Sequence, residues 1–415
     1  MVMSVKKHIT YNTAGSVVSL FCQWLIMMII PKMSDFSDAG VFAVAISICS
    51  ILTIFATFSL NYYQISDQHV RFTENDYRAT RIATVSLSFI LCLLVVLLFD
   101  YSLKQNLVII SYTVYRCLLS YAYLYAATLQ IHDRLYYVGK CMILEGFISF
   151  FSFLLAYLIT SSLAISVAAM AVFGGGIFLV ALAKGYRSME GRKYPWYKTN
   201  RSVIISMMMI GVPFLISAVA PIVITAIPKI MLQAVDGDEI VGIFGTLSAP
   251  TIIVPTLITA IFTPFIVYFS NVSRKGDISL LRKQYMKTVG LTLLFGALCF
   301  VLSWGAAGYV FEMVYGDDIV PYVGYFDILI IGITFYSIGT CGVTVLITKN
   351  QGRAAAVMSF ASVISSFILF FILIPKFGIE GATYGLVAAY GIFGLLISLC
   401  VMFLPLNSNE RYKGG

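Results

Sequence analysis

The chain has 415 residues, of which 60% are hydrophobic and only 11% charged, and its mean hydropathy is +0.93. A composition this apolar excludes a soluble surface over such a length and points to a multispanning membrane protein. The formal net charge of +8 calls for no nucleic-acid partner, because basic loops facing anionic lipid account for it.

Crossing ~30 Å of hydrocarbon takes ~20 helical residues, and the chain keeps supplying apolar runs of that length. No sustained period of two supports a barrel. Spans are predicted at about 14–32, 40–62, 82–100, 106–130, 141–160 and 163–183, then at about 203–229, 240–269, 288–310, 322–347, 355–375 and 380–404. The first reads as a span, not a cleaved signal, because another span follows at once and no small-residue cleavage pattern succeeds it. Between the two sets of six lies a basic stretch with Lys184, Arg187, Arg192, Lys193, Lys198 and Arg201 against Glu190. The expected fold is all-α and membrane-integral: about twelve transmembrane helices in two parallel six-helix halves around a central cavity. The halves would cover 1–183 and 203–415, joined by a basic cytoplasmic linker over 184–202, with both termini cytoplasmic.

Charge tests that layout independently of hydropathy. Of the 27 Lys and Arg, the outer loops hold only Lys32, Lys104, Lys229 and Lys376, while acids such as Asp236, Asp238, Glu239, Glu312, Asp317 and Asp318 collect there. The inner segments take the rest apart from Arg116, including Arg71, Arg78 and Arg81 in the loop between spans two and three. This is the positive-inside pattern. The eight cysteines all fall in or beside spans with no metal-ligand spacing, and the three histidines lie on polar inner segments, so neither a disulfide framework nor a metal or other cofactor is expected.

The halves echo each other in Ile30-Pro31-Lys32-Met33 with Gly40-Val41-Phe42, and in Ile227-Pro228-Lys229-Ile230 with Gly242-Ile243-Phe244. Six spans per half is an even number, so both halves enter the membrane in the same sense, as parallel repeats do. Polar residues recur at helical spacing: Asn12, Ser16, Ser19 and Gln23 in span one, and Ser50, Thr53, Thr57, Asn61 and Gln64 in and after span two. Spans seven and eight combine Pro213, Ser217, Pro221, Thr225 and Pro228 with Ser248, Pro255, Thr259 and Thr263. Such hydroxyl stripes either join helices together or line a wet cavity.

Three ionisable residues fall within spans, where a charge normally faces a bundle interior or water. Arg116 is near the middle of span four, on a face with Tyr112, Ser120 and Tyr123. It reads either as an anion anchor flanked by tyrosines or as one half of an ion pair with Glu145. Glu145 and Asp327 each lie about one turn into their spans, as interfacial residues or as candidate carriers of a coupling ion. Gly174-Gly175-Gly176 lacks phosphate-loop spacing and suits a close helix approach.

Gly40-Val41-Phe42-Ala43, the run from Ala56 to Asp67, Asp76-Tyr77-Arg78 with Arg81, and the stretch Ile374-Pro375-Lys376-Phe377-Gly378-Ile379-Glu380-Gly381-Ala382 together resemble bacterial O-antigen and capsular polysaccharide repeat-unit flippases. These are the Wzx-type members of the multidrug/oligosaccharidyl-lipid/polysaccharide exporter superfamily. The resemblance implies an inner-membrane carrier of undecaprenyl-pyrophosphate-linked oligosaccharide, working by alternating access and serving O-antigen, capsule or exopolysaccharide assembly. It also implies a polysaccharide polymerase and a chain-length regulator as partners. Arg116 would then meet the pyrophosphate, and Tyr112, Tyr123, Ser120, Gln23, Ser19, Asn61 and Gln64 the sugars, with Glu145 and Asp327 available for ion coupling. Related peptidoglycan-precursor flippases have a strongly cationic cavity, whereas here Arg116 is the only internal basic residue in the predicted spans. A cation-coupled multidrug antiporter of the same superfamily is the alternative, and it would need an acid at mid-depth, which the predicted spans lack. An enzyme is not expected, since the outer loops are short and hold no histidine.

Overall fold

A computed structural model describes residues 5–58, 60–66, 71–189, 199–258, 278–349 and 351–403. Those residues are almost entirely helical: α1 (Val5–Met33), α2 (Phe36–Thr57), α3 (Leu60–Ser66), α4 (Glu74–Leu98), α5 (Leu103–Ile131), α6 (Leu135–Thr160), α7 (Leu163–Arg187), α8 (Arg201–Ser248), α9 (Ile278–Tyr315), α10 (Val323–Thr348) and α11 (Gly352–Phe403). Ten helical stretches are long and apolar enough to cross a membrane. Two of them contain a glycine with left-handed φ at which the helix breaks, Gly237 (φ 80°) and Gly378 (φ 53°). These breaks fall between predicted spans seven and eight and between spans eleven and twelve, so among the described residues the ten stretches accommodate the twelve spans, with 259–269 of span eight outside them. The first part of α8 continues beyond the predicted limit, placing Lys229 inside a helix and not in an outer loop.

Helix direction can be read from which residues meet. On α1 and α6, Gly15 touches Gly139, Ser16 faces Met142 and Ser19 bonds Glu145, so the two run parallel. Cys49 meets Thr113 and Thr53 meets Arg116, which makes α2 and α5 parallel. Ala56 meets Thr84 and Leu52 meets Ser88, so α2 and α4 are antiparallel. Gly174 packs on Ser149 and Gly185 on Tyr137, an antiparallel pairing of α6 and α7. Within α11, Gly381 returns against Leu373 and Gly385 against Phe370; the last part of α11 then runs parallel to α10 through Gly332 with Val387, Gly339 with Gly394 and Gly342 with Ile397. Each relation is the one that a chain crossing a single slab back and forth requires.

The chain forms two compact units, 1–218 and 219–415. Sequence patterning sets the boundary at the basic linker, whose residues 190–198 lie outside the described ones; the structural division falls inside α8. The reason is local packing. Met207 is buried with Tyr77 and Leu124, the Thr80 hydroxyl stands 3.3 Å from its Sδ, and Gly211 fits against the Phe58 carbonyl. The opening turns of α8 therefore belong to the first unit.

One buried residue fixes the end of α2. That helix stops at Thr57, with Phe58 in the left-handed region (φ 47°) and its N–H bonded to the Ile54 carbonyl. Arg81 is 1% exposed, and its Nη1 donates to the carbonyls of Ala56 (3.0 Å) and Thr57 (2.8 Å), while Nη2 donates to Asn61 Oδ1. The Thr84 hydroxyl adds a second donor to Ala56 at 2.9 Å. The loop assignment of Arg81 is thus corrected, together with the expectation that Arg116 is the only internal basic residue. A capping box, Thr73 with Asp76, starts α4 at Glu74 and places Arg81 two turns inside the helix.

Replacing Arg81 with Ala removes the donor to the Thr57 carbonyl and to Asn61 and one of the two donors to the Ala56 carbonyl, and is expected to destabilise the protein by about 1–3 kcal/mol. Arg81→Lys should recover only part of this, since one ammonium does not reproduce the planar fork. Thermal unfolding in detergent reads both variants, and an unshifted midpoint for Arg81→Ala would refute the capping role.

Candidate functional site

Arg116 lies near the middle of the 29-residue α5. It is half-buried, and its Nε donates to the Thr53 hydroxyl of α2 at 3.3 Å. Tyr112, Tyr115, Tyr123 and the Cys49 thiol are its electrostatic neighbours. Tyr112 is buried, edge-on to Phe42 at 5.6 Å and 5.7 Å from Tyr115; Tyr123 is half-buried and edge-on to Phe178 at 5.8 Å. Ser120 is buried one turn on from Arg116. A guanidinium carries five N–H donors, and among the described residues no carboxylate pairs with this one. Of the two readings left open by the sequence, no ion pair with Glu145 forms.

Glu145 has its own partners. It is 3% exposed and lies ~15 Å along α6 at 1.5 Å per residue, about one turn past the start of the apolar run. Ser19 Oγ donates to Oε2 at 2.8 Å, and Ser149 Oγ (3.0 Å) and the Tyr115 hydroxyl donate to Oε1. The helix itself begins earlier, at Leu135, before its apolar run does. Beside this cluster α7 carries a π-helical segment, Met170–Gly175, whose Gly174 packs on Ser149 and Gly175 on Tyr115. Helices with such a segment often bear a functional site there.

The remaining residues singled out in the sequence fall into separate places. Asn61, half-buried, accepts from Arg81. Gln64 is buried, with Nε2 donating to Thr128 Oγ1 at 3.0 Å; Thr128 is ~18 Å along α5 from Arg116, so neither residue joins the Arg116 group. Gln23, one turn beyond Ser19 on α1, is half-buried. Asp327 sits one turn into α10, half-buried, accepting from the Ser303 hydroxyl of α9. In the second unit Thr225 Oγ1 bonds its own helix at Pro221 (2.8 Å) and lies 3.0 Å from the Tyr390 hydroxyl. Thr259 and Thr263, and the side chains of Pro213 and Ser217, lie outside the described residues. Outside these groups, Lys104 pairs with Asp38 where α5 and α2 begin.

Sequence reasoning missed Arg81, Tyr115 and Ser149. The signals were present: Arg81, Thr84 and Ser88 recur at helical spacing behind a capping box, and Glu145 with Ser149 is an i, i+4 pair on the face that meets Ser19.

No family profile matches the chain. Its sequence is similar to the capsular polysaccharide biosynthesis protein CapF of Staphylococcus aureus, 20% identical over 382 residues that cover 91% of this chain and 94% of that protein. The structure is similar to a multidrug resistance MATE family transporter of the MOP superfamily in its inward-facing conformation (TM-score 0.62, 11% identity, 96% of this chain and 94% of that one). The outward-facing conformation scores 0.63 at 11% identity, covering 95% and 94%. A MOP superfamily transporter from Pyrococcus furiosus, described as having a binding pocket of reverse polarity, scores 0.57 at 10% identity over 95% and 94%. The fold is thus the MATE-like transporter fold over nearly the whole chain, and the protein is a multi-pass membrane protein.

Glu145 is the acceptor common to three buried hydroxyls, so Glu145→Leu is expected to cost about 1–3 kcal/mol, read as a lowered unfolding midpoint in detergent. Glu145→Gln keeps an acceptor oxygen and should cost less. Midpoints equal to the parent's in both variants would count against the cluster.

Proposed function

We propose that the protein is a flippase for undecaprenyl-pyrophosphate-linked oligosaccharide repeat units, moving them across the bacterial inner membrane by alternating access for O-antigen, capsule or exopolysaccharide assembly. The observation that carries this reading is Arg116: a half-buried guanidinium at mid-span, flanked by tyrosines and without a carboxylate partner among the described residues. A charge so placed is costly against lipid and suits a water-accessible, anion-binding surface. Likeness over most of the chain to a capsular polysaccharide biosynthesis protein, on a transporter fold, supports the substrate class.

In this reading the head group meets Arg116 from the cytoplasmic side while the polyprenyl tail stays in lipid. The guanidinium offsets pyrophosphate charge, and Tyr112, Tyr123 and Ser120 contribute hydroxyls and ring faces to the sugar, with Gln23, Ser19, Asn61 and Gln64 as the further polar set. A polysaccharide polymerase and a chain-length regulator then act on the delivered unit. Moving one negative charge outward across an interior-negative membrane gains ~2.3 kcal/mol per 100 mV, so the membrane potential can drive the step.

A second reading, a cation-coupled antiporter of small molecules, is favoured by one observation. Glu145 is a buried acid within a span whose hydrogen bonds, among the described residues, come from three hydroxyls. Asp327, one turn into α10, is the other acid available for ion coupling.

Deleting the gene in its host should make unpolymerised lipid-linked units accumulate on the inner leaflet, and Arg116→Ala, inserted at normal levels, should fail to relieve this. If the units reach the outer leaflet unaided and drug sensitivity changes instead, the antiporter reading takes over. In reconstituted vesicles, transport should slow when the potential is collapsed; an unchanged rate removes the voltage-driven step.

A further inference from the structure

Where α1 and α6 begin, side chains from both helices gather around one ammonium. Lys140 Nζ stands 5.5 Å from the centroid of the Tyr11 ring and 5.8 Å from that of Tyr136. The His8 ring meets Tyr136 edge-on at 5.5 Å, and its buried Nδ1 has no hydrogen-bond partner among the described residues. The group is pre-organised, because Gly139 brings the backbone of α6 directly onto that of Tyr11 and Asn12. Tyr11 and Lys140 therefore face each other across a contact too close for any side chain to separate. Lys140 is exposed, as is Lys7 one turn before Tyr11.

The apolar runs of both helices open just beyond this group, at about residues 14 and 141, so the group lies at headgroup depth, where tyrosine and lysine side chains concentrate. What continues from Lys140 decides between a soluble anion and a lipid. Leu144, Phe147, Phe151 and Leu155 follow it on α6 at i+4, i+7, i+11 and i+15, all exposed, and Val17 and Phe21 are exposed on α1. An ammonium set at the head of an apolar column matches an anionic head on an acyl chain, and a free phosphate would have no use for the column.

We propose that Lys140, Tyr11, Tyr136 and His8 form a binding site for the phosphate of an anionic phospholipid, with its acyl chain lying along the exposed face of α6. The lysine supplies the charge, held in place by two ring faces, and the tyrosine hydroxyls donate to phosphate oxygens. This site lies apart from Arg116 and holds whatever the transported substrate is.

Native mass spectrometry of the purified full-length protein tests it, with phosphatidylglycerol and phosphatidylcholine as probes and inorganic phosphate as competitor. The parent should retain phosphatidylglycerol over phosphatidylcholine. Lys140→Ala should weaken that retention about fivefold, the weight of one basic residue near a lipid surface, whereas Lys140→Arg should keep it. Lys376→Ala, an exposed lysine elsewhere in the chain, should leave it unchanged. Equal retention by Lys140→Ala, or an equal loss in Lys376→Ala, overturns the site. Displacement of phosphatidylglycerol by inorganic phosphate alone would assign the group to a soluble anion and overturn the lipid.

Discussion

A helix that ends inside a packed bundle has carbonyls with no water to turn to, and the first unit is arranged around one such end. In a membrane each unanswered backbone group costs several kcal/mol. The last carbonyls of α2 are answered from another helix by the Arg81 guanidinium and the Thr84 hydroxyl. The same guanidinium holds Asn61, which seats the short α3, and α3 in turn sets Gln64 against Thr128 on α5. A single arginine thereby ties α2, α3 and α4 to one another, with α5 joined through α3.

Elsewhere association rests on close approach and on hydroxyls. Lipid tails are as apolar as leucine, so helices in a membrane gain little from hiding apolar side chains and more from backbone contact. Gly15 with Gly139, Gly146 with Ser19, and Gly339 with Gly394 are such contacts. Many hydroxyls turn back onto their own helix, as Thr53 does to the Cys49 carbonyl and Thr57 to that of Thr53. Thr53 nonetheless reaches Arg116 as well, so one side chain can be satisfied locally and still position a charge.

Hydropathy made the spans and their alternation legible, and the depth of Arg116 followed directly. It failed at helix starts for a physical reason. An apolar window opens where the hydrocarbon begins, whereas a helix opens at its cap, and Thr73 and Arg134 precede the apolar runs of α4 and α6 by two turns or more. Arg81 was consequently read as a loop residue. Tyr115 passed as an ordinary span residue because its partner, Glu145, lies on another helix, which one-dimensional periodicity does not reveal. The packing of Met207 and Gly211 was hidden for the same reason, since both act through contacts with α2, α4 and α5.

The glycine contacts bear on how such a chain can change over time. Two parallel helices pinned at Gly15, Gly139 and Gly146 tolerate no added atom at those points, since even a methyl would overlap the facing backbone. The exposed leucines, isoleucines and phenylalanines around them need only stay apolar, and any of these can stand in for another. A bundle secured at few points and indifferent over the rest can lose nearly all recognisable sequence and keep its shape. That is the position of this chain, which shares a fold at 10 to 11% identity with transporters covering almost its full length.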